Sequence, residues 1–137
     1  MRRMESKGRA RALQLLYAWE TTGSRDSRAA VSGLARLTGP EPLVMDFAEE
    51  LAAGVINDLE NLDRQVQAAT DNWRLERLGV VDRNVLRLAT FELIAGKVPP
   101  KVVLDEAVWL AQRFGTPQSP GFVNGVLDRV ARSLGRL

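Results

Sequence analysis

Between residues 44 and 66 the apolar side chains Val44, Phe47, Leu51, Val55, Leu59, Leu62 and Val66 follow one another at steps of three and four. That is the spacing of one face of an α-helix, and it cannot be laid on one face of a strand, where the period is two. The same step recurs elsewhere. Ala12, Leu13, Leu16, Tyr17 and Trp19 make an apolar side for a segment from about Ser6 to Glu20. No stretch alternates apolar with polar residues, and no repeat or low-complexity tract interrupts the pattern. The spacing predicts an all-α chain.

Punctuation residues divide it. Gly23 and Ser24 end the first helix, and a shorter one is expected over Ser27 to Leu37, closed by Thr38-Gly39-Pro40. Pro42 suits the first turn of a third helix, which the spacing carries to about residue 70, bending near Gly54 or Asn61. After the loop Asp71-Asn72-Trp73, a fourth helix runs from Val80 to Ala95 and ends at Gly96. Pro99-Pro100 breaks the chain before a fifth, Val102 to Phe114, whose Val103, Ala107, Leu110 and Phe114 face inward and whose C-cap is Gly115. Ser119 and Pro120 are an N-cap and first-turn pair for the last helix. The 137 residues are read as a single domain with helical subdomains at about 1–70 and 74–137, and Trp73 plugs their junction.

Inside the last helix, Asn124-Gly125 is the dipeptide expected of a tight hairpin turn. The apolar residues around it, Phe122, Val123, Val126, Leu127, Val130, Ala131 and Leu134, keep the helical step instead. Gly125 in a helix costs about 1 kcal/mol relative to Ala. Such a residue is expected where backbone or ligand comes close, with Asn124 bonding the preceding loop.

Composition removes most chemistry. There is no Cys and no His, so zinc sites lose their usual ligands and nucleophile pairs built on His cannot form. Glu49-Glu50 and Asp105-Glu106 are adjacent on helices, about 100° apart, and read as solvated faces. There is no Gly-rich phosphate loop, no apolar run long enough to cross a membrane, and no signal-peptide pattern. No catalytic residue, metal or cofactor is expected, and the lack of Cys fits a cytoplasmic protein.

Charge points elsewhere. Arg2, Arg3, Lys7, Arg9 and Arg11 against Glu5 give residues 1–11 a formal charge of +4, while the whole chain carries only +2. Residues 41–63 hold seven acids and no base. A basic arm running into a helix is the electrostatic footprint of phosphate binding. Lys7, Arg11 and Gln14 share one helix face, and 16 of the 19 bases are Arg, the side chain suited to bidentate phosphate contacts.

Five blocks in order resemble one family. FGTPQSPGFVNGVLD (114–128), RARALQLLYAWE (9–20), FAEELAAGVINDLENLD (47–63), VDRNVLRLATFEL (81–93) and VPPKVVLDEAVWLAQRFG (98–115) are similar to the transcription antitermination and termination factor family NusB. The resemblance implies a non-catalytic, all-helical fold of two packed bundles with about six to seven helices. It implies binding of single-stranded boxA-type RNA in nascent ribosomal transcripts. It also implies a heterodimer with the ribosomal protein NusE and assembly into the RNA polymerase antitermination complex.

Carried over by position, Arg2, Arg3, Lys7, Arg9, Arg11 and Gln14 grip RNA. Gln118, Ser119 and Phe122 meet unstacked bases, and Arg83 and Arg87 are further phosphate contacts. Tyr17 and Asp82 face NusE. By spacing alone Phe122 belongs to the core, so its RNA role rests on the resemblance. Trp109 departs from the family pattern and reads either as a partner contact or as partly packed on a neighbouring helix. Two rival readings stand beside this one. The first is a homodimer burying the acidic 41–63 stretch or the Trp109 face. The second is a stand-alone relative of the NusB-like domain of RNA cytosine methyltransferases, although no methyl-donor fold follows Leu137.

Overall fold

Pro42 sits in the first turn of the helix it was expected to open, and Gly96 takes the left-handed conformation (φ 70°) that ends another. The computed structural model describes residues 3–22, 41–71 and 73–137. Among these residues there are six α-helices and no strand: α1 Met4–Thr22, α2 Pro42–Asn57, α3 Leu59–Ala69, α4 Val80–Ala95, α5 Pro100–Phe114 and α6 Ser119–Ser133. A short 3-10 turn covers Leu75–Arg77. The helix expected over 27–37 lies outside the described residues. None of the described helices is long and apolar enough to cross a membrane.

The long third helix is two helices. Asp58 leaves helical geometry (φ −114°, ψ 21°), and its carboxylate accepts a hydrogen bond from Asn61 Nδ2 at 3.2 Å. Short polar side chains that bond locally compete with the helical ladder. The break was hidden because it consumes one residue and Leu62 N still donates to Asp58 O at 3.0 Å, so the apolar step runs on through it. Residues up to Asn57 and residues from Asp58 onward form two compact units.

In the first unit α1 packs on α2. Ala12, Leu13, Leu15 and Leu16 meet Val44, Met45, Ala48, Leu51, Ala52 and Val55, all buried. In the second unit α4 packs against α3, α5 and α6. Every residue from Asn84 to Thr90 is buried, as expected of a helix with neighbours on several sides. Around it lie Leu62 and Val66 of α3, Val103, Leu110 and Ala111 of α5, and Val123, Leu127 and Val130 of α6. Each of the Leu and Val side chains, removed from water, contributes about 1.5–3 kcal/mol.

A helix buried over that stretch must satisfy any charge it carries. Arg87 is buried, and its guanidinium clasps Asp63 of α3 in a fork, Nε to Oδ1 at 2.7 Å and Nη2 to Oδ2 at 2.9 Å. Nη1 donates to Asn84 Oδ1 at 3.1 Å. Paired bonds of this geometry are strong, and removing one partner strands a buried charge. Asp63→Ala, which leaves the Arg87 guanidinium buried without its carboxylate, is therefore expected to lower unfolding free energy by about 3 kcal/mol in urea titration, far more than Arg132→Ala, which removes only an exposed pair with Asp128.

Candidate nucleic-acid interface

The basic arm divides by helix face. In α1 the exposed or half-exposed row is Lys7, Arg11 and Gln14, with exposed Arg3 just before the helix. Arg11 Nη1 donates to Gln14 Oε1 at 3.1 Å, which holds the two side chains together. Lys7 lies 3.9 Å from Glu41 in an exposed pair, weak enough to yield to a phosphate. Arg9 is a correction to the sequence reading. It is 5% exposed, with its guanidinium 5.8 Å from the centre of the Phe47 ring. The reason is angular: two residues from Lys7 is about 200° around a helix, so Arg9 turns inward onto α2. Arg2 lies outside the described residues.

Beside Arg9, Gly8 is what lets α1 lie against that ring. A Cβ at Gly8 would overlap Phe47 Cδ1. This is the close approach that sequence reasoning sought at Gly125. At Gly125 a Cβ would meet nothing within 4 Å, and the same holds at Gly121. Gly121, Asn124 and Gly125 instead form an exposed strip of α6 nearly bare of side chains.

The start of α6 is built by Ser119, which takes a different role from the base contact expected of it. Ser119 is buried and its Oγ accepts a bond from Thr116 N at 2.9 Å, so it braces the loop and does not reach outward to a base. It does not cap the helix through its side chain either. Gly115 makes room for this brace, since a Cβ there would stand 2.5 Å from Ser119 Oγ. Gly115 ends α5 with its N–H on Ala111 O at 2.9 Å, in extended conformation. Gln118 is exposed and Phe122 half-buried.

Phe122 is not alone. Its ring lies 6.5 Å from that of Trp73 at 79°, an edge-to-face pair. Trp73, expected to plug a junction, is 58% exposed. Its backbone is fixed all the same: Trp73 O accepts from Gln67 Nε2 at 2.8 Å and Thr70 Oγ1 at 3.0 Å, and Gln67 Oε1 accepts from Leu75 N at 2.9 Å. Arg129, one further turn pair along α6, reaches the same loop at Asp71 Oδ2, 3.3 Å.

The remaining candidates have other surroundings. Arg87 is committed to Asp63 and does not face phosphate. Arg83 is half-exposed and donates to Leu78 O at 2.9 Å. Asp82 is half-buried in the first turn of α4, and Tyr17 is 51% exposed, not part of the core that its spacing suggested. Trp109 is half-buried beneath Arg113, whose guanidinium lies 6.0 Å from its ring centre and 5.5 Å from that of Phe114. Its neighbour Glu106, read as solvated, is buried.

A profile of the NusB family matches residues 6–132. This chain belongs to the NusB family. It is similar to the transcription antitermination protein NusB of Sorangium cellulosum, 49% identical over 133 residues that cover 96% of this chain and 94% of the relative. The NusB protein of Myxococcus xanthus is 41% identical, over 94% of this chain and 95% of its own. Among solved structures, T. maritima NusB superposes with a TM-score of 0.84 at 35% identity, covering 96% of this chain and 93% of that one. A structure described as antitermination factors NusB and NusE in complex with dsRNA gives a TM-score of 0.78 at 26% identity, with 97% and 99% covered. The all-helical reading and the NusB resemblance drawn from the five blocks both hold.

In this NusB-family chain the sequence pattern gives no sign of the role of Gly8 and misplaces Trp73. Gly8 carried no signal because a helical Gly is not informative until its neighbour is known. Trp73 is read from sequence as a junction plug because a Trp in a loop usually packs, and its exposure is what that reading missed. The contrast between glycines is testable. Gly8→Ala is expected to destabilise by about 1–3 kcal/mol through overpacking, despite a gain in helix propensity. Gly125→Ala, with open space around it, should stabilise by up to about 1 kcal/mol. Paired denaturant titrations read both.

Proposed function

We propose that this chain is an RNA-binding transcription antitermination factor. It binds boxA-type single-stranded RNA in nascent ribosomal transcripts together with NusE, and so alters the response of RNA polymerase to termination signals. The observation that carries the reading is the row Arg3, Lys7, Arg11 and Gln14 on the outer side of α1, in a chain matched to NusB proteins over nearly its full length. The rest follows from what each side chain is able to do. The cations hold the phosphate backbone without regard to sequence. Phe122 offers a ring to an unstacked base, and Gln118 beside it offers an amide to a base edge. Arg83 supplies a secondary phosphate contact, while Tyr17, Asp82 and Trp109 are each assigned to contact with NusE. The protein acts by binding and contributes no catalytic group.

The RNA in the NusB–NusE neighbour is described as double-stranded. The present reading favours a single strand, because a flat aromatic side chain recognises a base only when the base is free of its own stack. Fluorescence anisotropy with a boxA-type single strand, its scrambled version and its duplex separates these cases, with NusE present and absent. Preference for the duplex, or no preference over the scrambled strand, would sink this part of the proposal.

Salt dependence tests the arm. Each phosphate contact on a single strand adds about 0.7 to the log–log slope, so Arg3, Lys7 and Arg11 together account for about 2. The triple Ala variant should lose that much slope and keep its stability. Arg9→Ala should leave the slope nearly unchanged and lower the melting temperature instead.

A further inference from the structure

The geometry points to Trp73 as a second base-stacking surface, which with Phe122 forms a two-ring corner for one or two unstacked bases of the RNA strand. This rests on the RNA-binding reading above and adds to it a residue from a different element, the loop after α3.

Three observations carry it. The first is exposure combined with rigidity. Trp73 is 58% exposed, yet its peptide is pinned by Gln67 and Thr70, and its N–H donates to Thr70 O at 3.3 Å. A pinned peptide that keeps a large ring in water is arranged to offer it. The second is the angle. Two rings at 79° do not cover one another face to face, so each keeps at least one face clear of its partner. Stacking on such a face tolerates any base, since every base has a π-face.

The third observation is charge. Among the described residues, Arg129 reaches this loop through long bonds, 3.3 Å to Asp71 Oδ2 and 3.4 Å to Ala69 O, and both members of the ion pair are exposed. A phosphate competes with Asp71 for that guanidinium on favourable terms. Arg74, just before the 3-10 turn, and Arg77, its last residue, are exposed as well. The acids among them are Asp71 and Glu76, the latter 4.0 Å from Arg74. The corner thus combines ring faces with cations, the pairing that binds unpaired strands.

The test is titration of the full-length protein with a boxA-type single-stranded RNA oligonucleotide, read by anisotropy and by tryptophan emission. Trp73→Leu keeps an apolar packing partner for Phe122 but removes the π-face, and Trp73→Phe keeps both. Leu is expected to weaken binding about 5- to 150-fold, the equivalent of 1–3 kcal/mol per stacked base, while Phe retains most of the affinity. The RNA-induced quenching of the wild-type protein should largely disappear in Trp73→Phe. Melting temperatures of both variants establish that the fold persists. If Leu and Phe bind equally well, Trp73 serves only as packing and the inference is overturned. Should Phe122→Ala weaken binding while Trp73→Leu does not, this inference fails and the proposed function stands. A wild-type protein that binds no single strand overturns both.

Discussion

A guanidinium buried in the middle of a helix has to find a carboxylate. Arg87 finds Asp63, and much of the second unit is arranged around that fork. The bond ties α3 to α4 at one angle and register, because a bidentate pair tolerates little rotation. From there the consequences run outward in both directions. The end of α3 supplies Gln67 and Thr70, which hold the Trp73 loop. On its other side α4 packs on α6, which carries Phe122. The two rings thus meet between elements that this charge pair, touching neither ring, helps to hold in register.

Most of the architecture was legible in the spacing of apolar residues, and the reasons differ from element to element. The bounds of α4 were readable because Val80 to Ala95 is a continuous apolar-rich stretch ended by a glycine with room to turn left-handed. At α5, Pro100 in the first turn moved the start two residues earlier than the apolar pattern did. The gap between α2 and α3 was not legible, since a break of one residue leaves the three-and-four rhythm intact.

The site was harder to read than the fold. Counting the cations of the arm overstated it, because composition does not know direction. Arg9 and Lys7 are two residues apart and lie on nearly opposite sides of α1. Arg87 and Ser119 were assigned outward roles by position in a motif, and each instead answers an internal need, one for charge and one for a backbone N–H. Trp73 illustrates the reverse error. Its environment is set by a tertiary contact with Phe122, about fifty residues further along, and nothing in the local sequence announces it.

The bare backbone of α1 at Gly8 works as a notch over the Phe47 ring. A notch fixes axial position as well as distance: sliding α1 by a single residue would turn the helix about 100° on its partner and swing its outer row away with it. Electrostatic aim in this half of the molecule is thus indexed by a steric detent, and the missing methyl group sets the direction in which the positive charges point.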